Sequence, residues 1–154
     1  METLQITKAN ALNAFKEADT SGKNLLKGLF GEKTFIPEKI TDRIKTFENA
    51  CEVVGVDAED YEDVYAPADE TALRKLKVIV RALNEGWTPN WNDGNQRKWY
   101  PWFYMNKPGF RFDGSTCDCV SAGAAGGSRL CFATQELSDY AAKQFLDLYE
   151  AFIA

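Results

Sequence analysis

Apolar residues recur along this chain at two spacings, and the change from one to the other falls near residue 87. Before it, the period is helical. Ala11, Leu12, Phe15 and Ala18 make one stripe with Thr7 placed to cap it, which predicts a helix over 7–18. Asp19-Thr20-Ser21-Gly22 breaks the chain, and Leu25, Leu26, Leu29 and Phe30 predict a further short helical turn stopped by Gly31. Ile40, Ile44, Phe47, Cys51 and Val54 follow at spacings of four, three, four and three. They predict a helix over 37–54, with Pro37 in its first turn and Gly55 in the left-handed position after it. Leu73, Leu76, Val80 and Leu83 predict another over 69–84, where Asp69 and Glu70 favour the positive end of the helix dipole.

After residue 87 the period shortens to two. Residues 100–105 and 110–112 read as strands joined by Asn106-Lys107-Pro108-Gly109, and 129–133 as a third short strand. Residues 114–127, GSTCDCVSAGAAGG, read as a flexible small-residue loop. Thr134 caps a last helix over 135–152, with Leu137, Ala141, Phe145, Leu148 and Phe152 on one face. The expected fold is α+β: three N-terminal helices, a small antiparallel meander and a C-terminal helix around one core. At 154 residues a single domain is the expectation, and a chain this long needs no disulfide or metal staple.

Composition removes several functions. The formal charge of −5 disfavours a general nucleic-acid coat, because phosphate binding draws on excess Lys and Arg. The apolar runs are too short to span a bilayer, and METLQITKANALNAF has no signal-peptide core, so the chain reads as cytosolic or virion-associated. The absence of histidine excludes the commonest general base and the Ser-His and Cys-His pairs. An enzyme would have to work through carboxylates, Lys, Tyr or Cys.

No motif carries such chemistry. Asp19 to Phe30 begins like a calcium loop, but Lys23 and Leu25 fall on ligand positions and Phe30 on the twelfth. Residues 57–70 hold seven acidic residues and no basic one, and they read as a solvated loop. Cys117 and Cys119 with Cys131 make an incomplete zinc set, and CxC differs from the CxxC redox spacing. Cys51 and Cys131 read as core residues. Gly123 to Gly127 precedes a strand and lacks a GK[ST] ending, so it is no phosphate loop. The expectation is therefore no catalytic residue, no metal and no cofactor.

What remains is the aromatic block. Trp87, Trp91, Trp99 and Trp102 are the only tryptophans, and they stand with Tyr100, Phe103 and Tyr104 beside Arg97 and Lys98. Strand alternation puts Tyr100, Trp102 and Tyr104 on one face and Pro101, Phe103 and Met105 on the other. One set would pack on helices, and the other would leave an exposed aromatic face of the kind that marks contact sites. The candidate binding residues are Trp91, Arg97, Trp99, Trp102, Tyr104 and Arg111, rimmed by the loop at 114–127.

The segments ITDRIKTFENACEVVG, KLKVIVRALNEGWTPNW, KWYPWF, GFRFD and GSRLCFATQELSDYAAKQFLDLYEAFI resemble a family of uncharacterised proteins carried by phages and prophages of gut anaerobic bacteria. The resemblance runs from about residue 37 to the C-terminus. It implies a phage-related gene and no catalytic residue. The expected function is an accessory or structural role exercised by binding, through a protein partner or self-association. An enzyme using carboxylate or Cys chemistry and a single-stranded nucleic-acid binder are the alternatives.

Overall fold

The computed structural model describes residues 6–35, 39–106, 109–123 and 129–154. The chain divides into two compact units, Met1–Glu38 and Lys39–Ala154.

The first unit holds helix α1 (Lys8–Glu17), helix α2 (Thr20–Phe30) and a 3-10 turn, Glu32–Phe35. Thr7 caps α1 by accepting from the Asn10 N–H, and Asp19 caps α2 by accepting from the Gly22 N–H. The Asp19–Gly22 segment thus starts a helix of eleven residues rather than ending one. Phe15 and Phe35 stack with ring centres 4.3 Å apart, and Phe30 meets Phe35 edge-on.

The second unit is α+β. It contains α3 (Ile40–Arg43), α4 (Phe47–Val54), a 3-10 turn at Glu59–Tyr61, α5 (Ala68–Leu83), strands β1 (Lys98–Tyr104) and β2 (Arg111–Asp118), then α6 (Gln135–Gln144) and α7 (Leu146–Ile153). Pro37 lies outside the described residues. The helix expected over 37–54 is interrupted at Ile44–Thr46. Thr46 takes an extended conformation and forms a reciprocal capping box with Asn49. Apolar spacing did not report this break, because Ile40, Ile44, Phe47 and Cys51 all still turn to the core across it.

The helix expected over 135–152 likewise breaks at Phe145 (φ −118°, ψ 36°). Its two halves have different neighbours: α6 lies against β1 and β2, and α7 against α5. The buried set is accordingly Ser138, Ala141, Ala142, Phe145 and Tyr149, while Leu137, Leu148 and Phe152 are only partly covered.

The sheet is a single antiparallel hairpin, β1–β2, rather than a three-stranded meander. Residues 129–133 touch it by one bridge: the Trp99 N–H donates to Phe132 O (2.9 Å) and the Phe132 N–H to Trp99 O (2.7 Å). Two side chains stop the ladder there. Pro101, the next residue on that edge of β1, has no N–H to offer. On the other side of the segment, the buried Asn84 amide takes the place of a strand. Its Nδ2 donates to Cys131 O (2.9 Å) and its Oδ1 accepts from the Ala133 N–H (3.0 Å). β2 in turn is longer than expected and runs through Cys117 to Asp118, so the predicted loop at 114–127 begins as strand. Residues 124–127 of that loop lie outside the described residues.

The core joins Ile44, Phe47, Leu76, Ile79, Leu83, Phe132, Ala141, Phe145 and Tyr149. No helix among the described residues is long and apolar enough to cross a membrane.

Candidate functional site

Strand alternation divides the hairpin into two faces. Trp99, Pro101 and Phe103 lie opposite Cys117, Ser115 and Phe112. This inner face meets the helices. Phe103 stacks on Phe110 (4.7 Å) and packs against Tyr149 of α7 (4.9 Å), while the Ser115 and Ser138 hydroxyls share a 2.7 Å hydrogen bond. Tyr100, Trp102 and Tyr104 lie opposite Thr116, Gly114 and Arg111 on the outer face. The register slips between Trp102 and Phe103, and the extra residue in β2 is Asp113. Without this bulge Trp102 would face Asp113. With it, the indole faces a glycine.

The outer face is an open aromatic row. Trp102 is 56 % exposed and Tyr104 43 %. Tyr100 and Trp102 have ring centres 6.4 Å apart, and the Arg111 guanidinium lies 4.2 Å from the Tyr104 ring centre. At such exposure a cation–π contact contributes about 0.5–1 kcal/mol. Arg111 has no carboxylate partner among the described residues. A Cβ built on Gly114 meets nothing within 4 Å, so the surface above Gly114 is open.

One end of the row is walled by residues 90–97. Their polar side chains close the segment on itself. Asn90 Oδ1 accepts from the Asn92 N–H, Asp93 Oδ1 from the Asn95 N–H (2.8 Å), and Gln96 Oε1 from the Asn90 N–H (2.6 Å). Lys98 locks the segment to the sheet. By alternation its side chain belongs to the outer face, yet it is only 1 % exposed. Its Nζ donates to three carbonyls, Asp93 O (3.1 Å), Gln96 O (2.7 Å) and Cys119 O (2.6 Å), and lies 5.3 Å from the Trp91 ring centre. An ammonium has three donors, and here all three have an acceptor. A buried charge is tolerable only with such compensation.

The sequence-derived residues therefore separate. Trp102, Tyr104 and Arg111 come together on the open face. Trp91 is half-buried and serves the Lys98 clamp. Trp99 lies on the inner face against the core and is not part of the open surface. Arg97 is exposed, in the turn segment before β1. Alternation already places Tyr100 on this face, although it is not among the candidate binding residues. Two further participants escaped sequence reasoning. Gly114 needed the bulged register, and nothing local to Lys98 marks it as buried.

Chemistry elsewhere is quiet. No disulfide joins the cysteines. Cys117 is half-buried in β2, and Cys119 lends its carbonyl to Lys98, so the CxC pair is not an exposed loop motif. Burial pushes the Cys51 and Cys131 thiols up, away from the thiolate that reacts. The carboxyls of Glu48 and Glu136 are lowered, the first chiefly by the Thr46 hydroxyl and the second by its own backbone N–H, as befits first-turn helix carboxylates. That is the opposite of what a general acid requires. No group of three or more His, Cys, Asp or Glu among the described residues is arranged to hold a metal ion. Comparison of the chain with protein-family models, curated proteins and solved structures gives no match.

Proposed function

We propose that this protein acts by binding, and that it docks a protein partner on the outer face of the β1–β2 hairpin. The observation that carries this reading is the exposed row of Trp102 and Tyr104 with Arg111 laid on it. Large aromatic side chains and Arg are the residues that most often anchor interfaces, and a contiguous exposed aromatic patch marks a contact site. The Lys98 clamp supports the same reading. It holds the segment beside the row in one conformation, which lowers the entropy lost on docking. An accessory or structural role of this kind accords with the resemblance to phage-carried proteins.

The test is retention of partners, identified by mass spectrometry, from infected or lysogenic cells by the intact protein, Trp102→Ala and Tyr104→Ala. The expected result is a partner held by the first and lost by both variants, with melting behaviour unchanged. Equal retention by all three would place the contact elsewhere on the molecule. Concentration-dependent self-association abolished by Trp102→Ala would identify the partner as a second copy.

A further inference from the structure

The loop between α4 and α5 turns its apolar residues outward. Val64 is 88 % and Tyr65 95 % exposed, more than any other large apolar side chain among the described residues. They occupy the two central positions of a turn closed by the Ala66 N–H on Asp63 O (3.3 Å), in which Asp63 Oδ1 also accepts from the Tyr65 N–H (3.0 Å). Gly, Pro, Asn, Asp and Ser are the residues that suit such positions, so turn formation does not explain a β-branched valine beside a tyrosine. Packing does not explain the pair either, since no described residue covers it. A local choice that neither the turn nor the core requires points to a use outside the chain.

Packing on both sides fixes this tip. Before it, the Tyr61 ring meets Phe47 of α4 edge-on with centres 5.5 Å apart, and Arg74 of α5 lies over Tyr61 and donates to Asp60 O (2.8 Å). Lys75 pairs with Glu62. After it, Pro67 leads directly into α5. A tip held in this way loses little entropy when a partner buries it.

The surrounding charge selects the partner. Residues 57–70 carry seven carboxylates and no cation, and of these only Glu62 has an ion-pair partner among the described residues. Nucleic acid and anionic lipid are both repelled by such a loop. A small molecule needs a concave site, whereas these two side chains protrude. A second copy of this chain would bring the same carboxylates to a symmetric contact.

We infer that Val64 and Tyr65 form a second docking element, apart from the hairpin face, which inserts into an apolar pocket rimmed by Lys and Arg on a partner protein. The tyrosine ring is the buried anchor, a role Tyr often takes at interfaces. The carboxylates meet the basic rim, steer encounter and reject surfaces of like charge.

The experiment places a photo-crosslinker at the tip of the full chain, Tyr65→p-benzoylphenylalanine, in infected or lysogenic cells. Trp102→p-benzoylphenylalanine is irradiated in parallel to report the hairpin face. The expected product at 65 is a protein whose crosslinked peptide maps to an apolar pocket flanked by Lys and Arg. That protein is then purified and titrated with the intact chain, with Tyr65→Ala, and with the triple variant Glu59→Gln, Asp60→Asn, Asp63→Asn. The triple variant removes charge and keeps an acceptor oxygen at each position. Affinity should fall about tenfold or more in Tyr65→Ala, as for an interface anchor. The triple variant should associate more slowly and lose most of the salt dependence. Melting should be unchanged in both, because all four side chains are exposed.

A crosslink at 102 with none at 65 overturns the inference and leaves the hairpin reading in place, and no crosslink at either position removes both. A crosslink at 65 to a second copy, or to a neutral or acidic surface, overturns the partner chemistry. If Tyr65→Ala binds as the parent does, or melts well below it, the tip is not an anchor.

Discussion

The two faces of the β1–β2 hairpin are made of similar side chains and have opposite fates. Trp99 and Phe103 on one face, and Tyr100, Trp102 and Tyr104 on the other, alternate within one seven-residue strand. The inner set is covered by helices and by the Trp99–Phe132 bridge, while the outer set ends in water. Residue type therefore does not distinguish a core aromatic from a contact aromatic here. What distinguishes them is whether another element arrives across the strand.

The contrast can be broken or sharpened by measurement. The largest effect is expected for Phe103→Ala. Losing the contacts with Phe110, Phe112 and Tyr149 should cost about 3–5 kcal/mol in denaturant unfolding, through lost transfer energy and a residual cavity. A cost below about 1 kcal/mol would mean that the two faces are not energetically different.

Lys98→Met comes next, because Lys98 is an outer-face position buried like an inner one. Removing the ammonium leaves the carbonyls of Asp93, Gln96 and Cys119 without their donor. We expect roughly 1–3 kcal/mol of destabilisation, together with faster amide exchange across 91–97 and little change in α5. Unchanged exchange in that segment would show that its own turns suffice to hold it.

A third test uses pH. Burial raises the Tyr149 phenol on the inner side and the Cys51 and Cys131 thiols in the core above their ordinary values of 10.0 and 9.0. The folded state then keeps protons that the unfolded state releases. These groups stabilise the fold fully below those ordinary values, and that contribution is lost as pH rises past them. The melting temperature should therefore fall between pH 8 and pH 11, and Tyr149→Phe should lessen the fall. A melting temperature that is flat over this range would contradict the burial of these groups.

The smallest effect is reserved for the outer face. Trp102→Ala and Tyr104→Ala should each change stability by no more than about 0.5 kcal/mol, as for surface substitutions away from packed features. An unfolding cost of several kcal/mol at Trp102 would make the row a core seam instead of a docking surface.

Much of this architecture is legible in the chain. The stripe of Leu73, Leu76, Val80 and Leu83 marks α5 to within a residue of its ends, and Thr7 and Thr134 cap the helices expected of them. The split of β1 into two aromatic sets follows from alternation alone. The breaks at Thr46 and Phe145 were not legible, because an interruption that keeps apolar residues facing the core leaves their spacing unchanged. Nor was the lost third strand. Leu130, Cys131 and Phe132 are buried as a strand's residues would be, but the Asn84 amide, 47 positions from Cys131, satisfies their backbone in place of a neighbouring strand.

The sequence by itself determined the α+β class, the period of each principal element and the gathering of every tryptophan into one stretch. These are local properties, set by propensity, capping and alternation, and they need no knowledge of distant residues. Only the tertiary structure decided which tryptophan is covered, that a lysine is buried beneath a turn segment, and that a bulge brings Gly114 opposite Trp102. Each of these depends on what arrives from far along the chain: Phe132 against Trp99, the Cys119 carbonyl at Lys98, and a one-residue slip between β1 and β2. Burial and hydrogen-bond satisfaction belong to pairs of groups, and a single position in a sequence carries only one member of each pair.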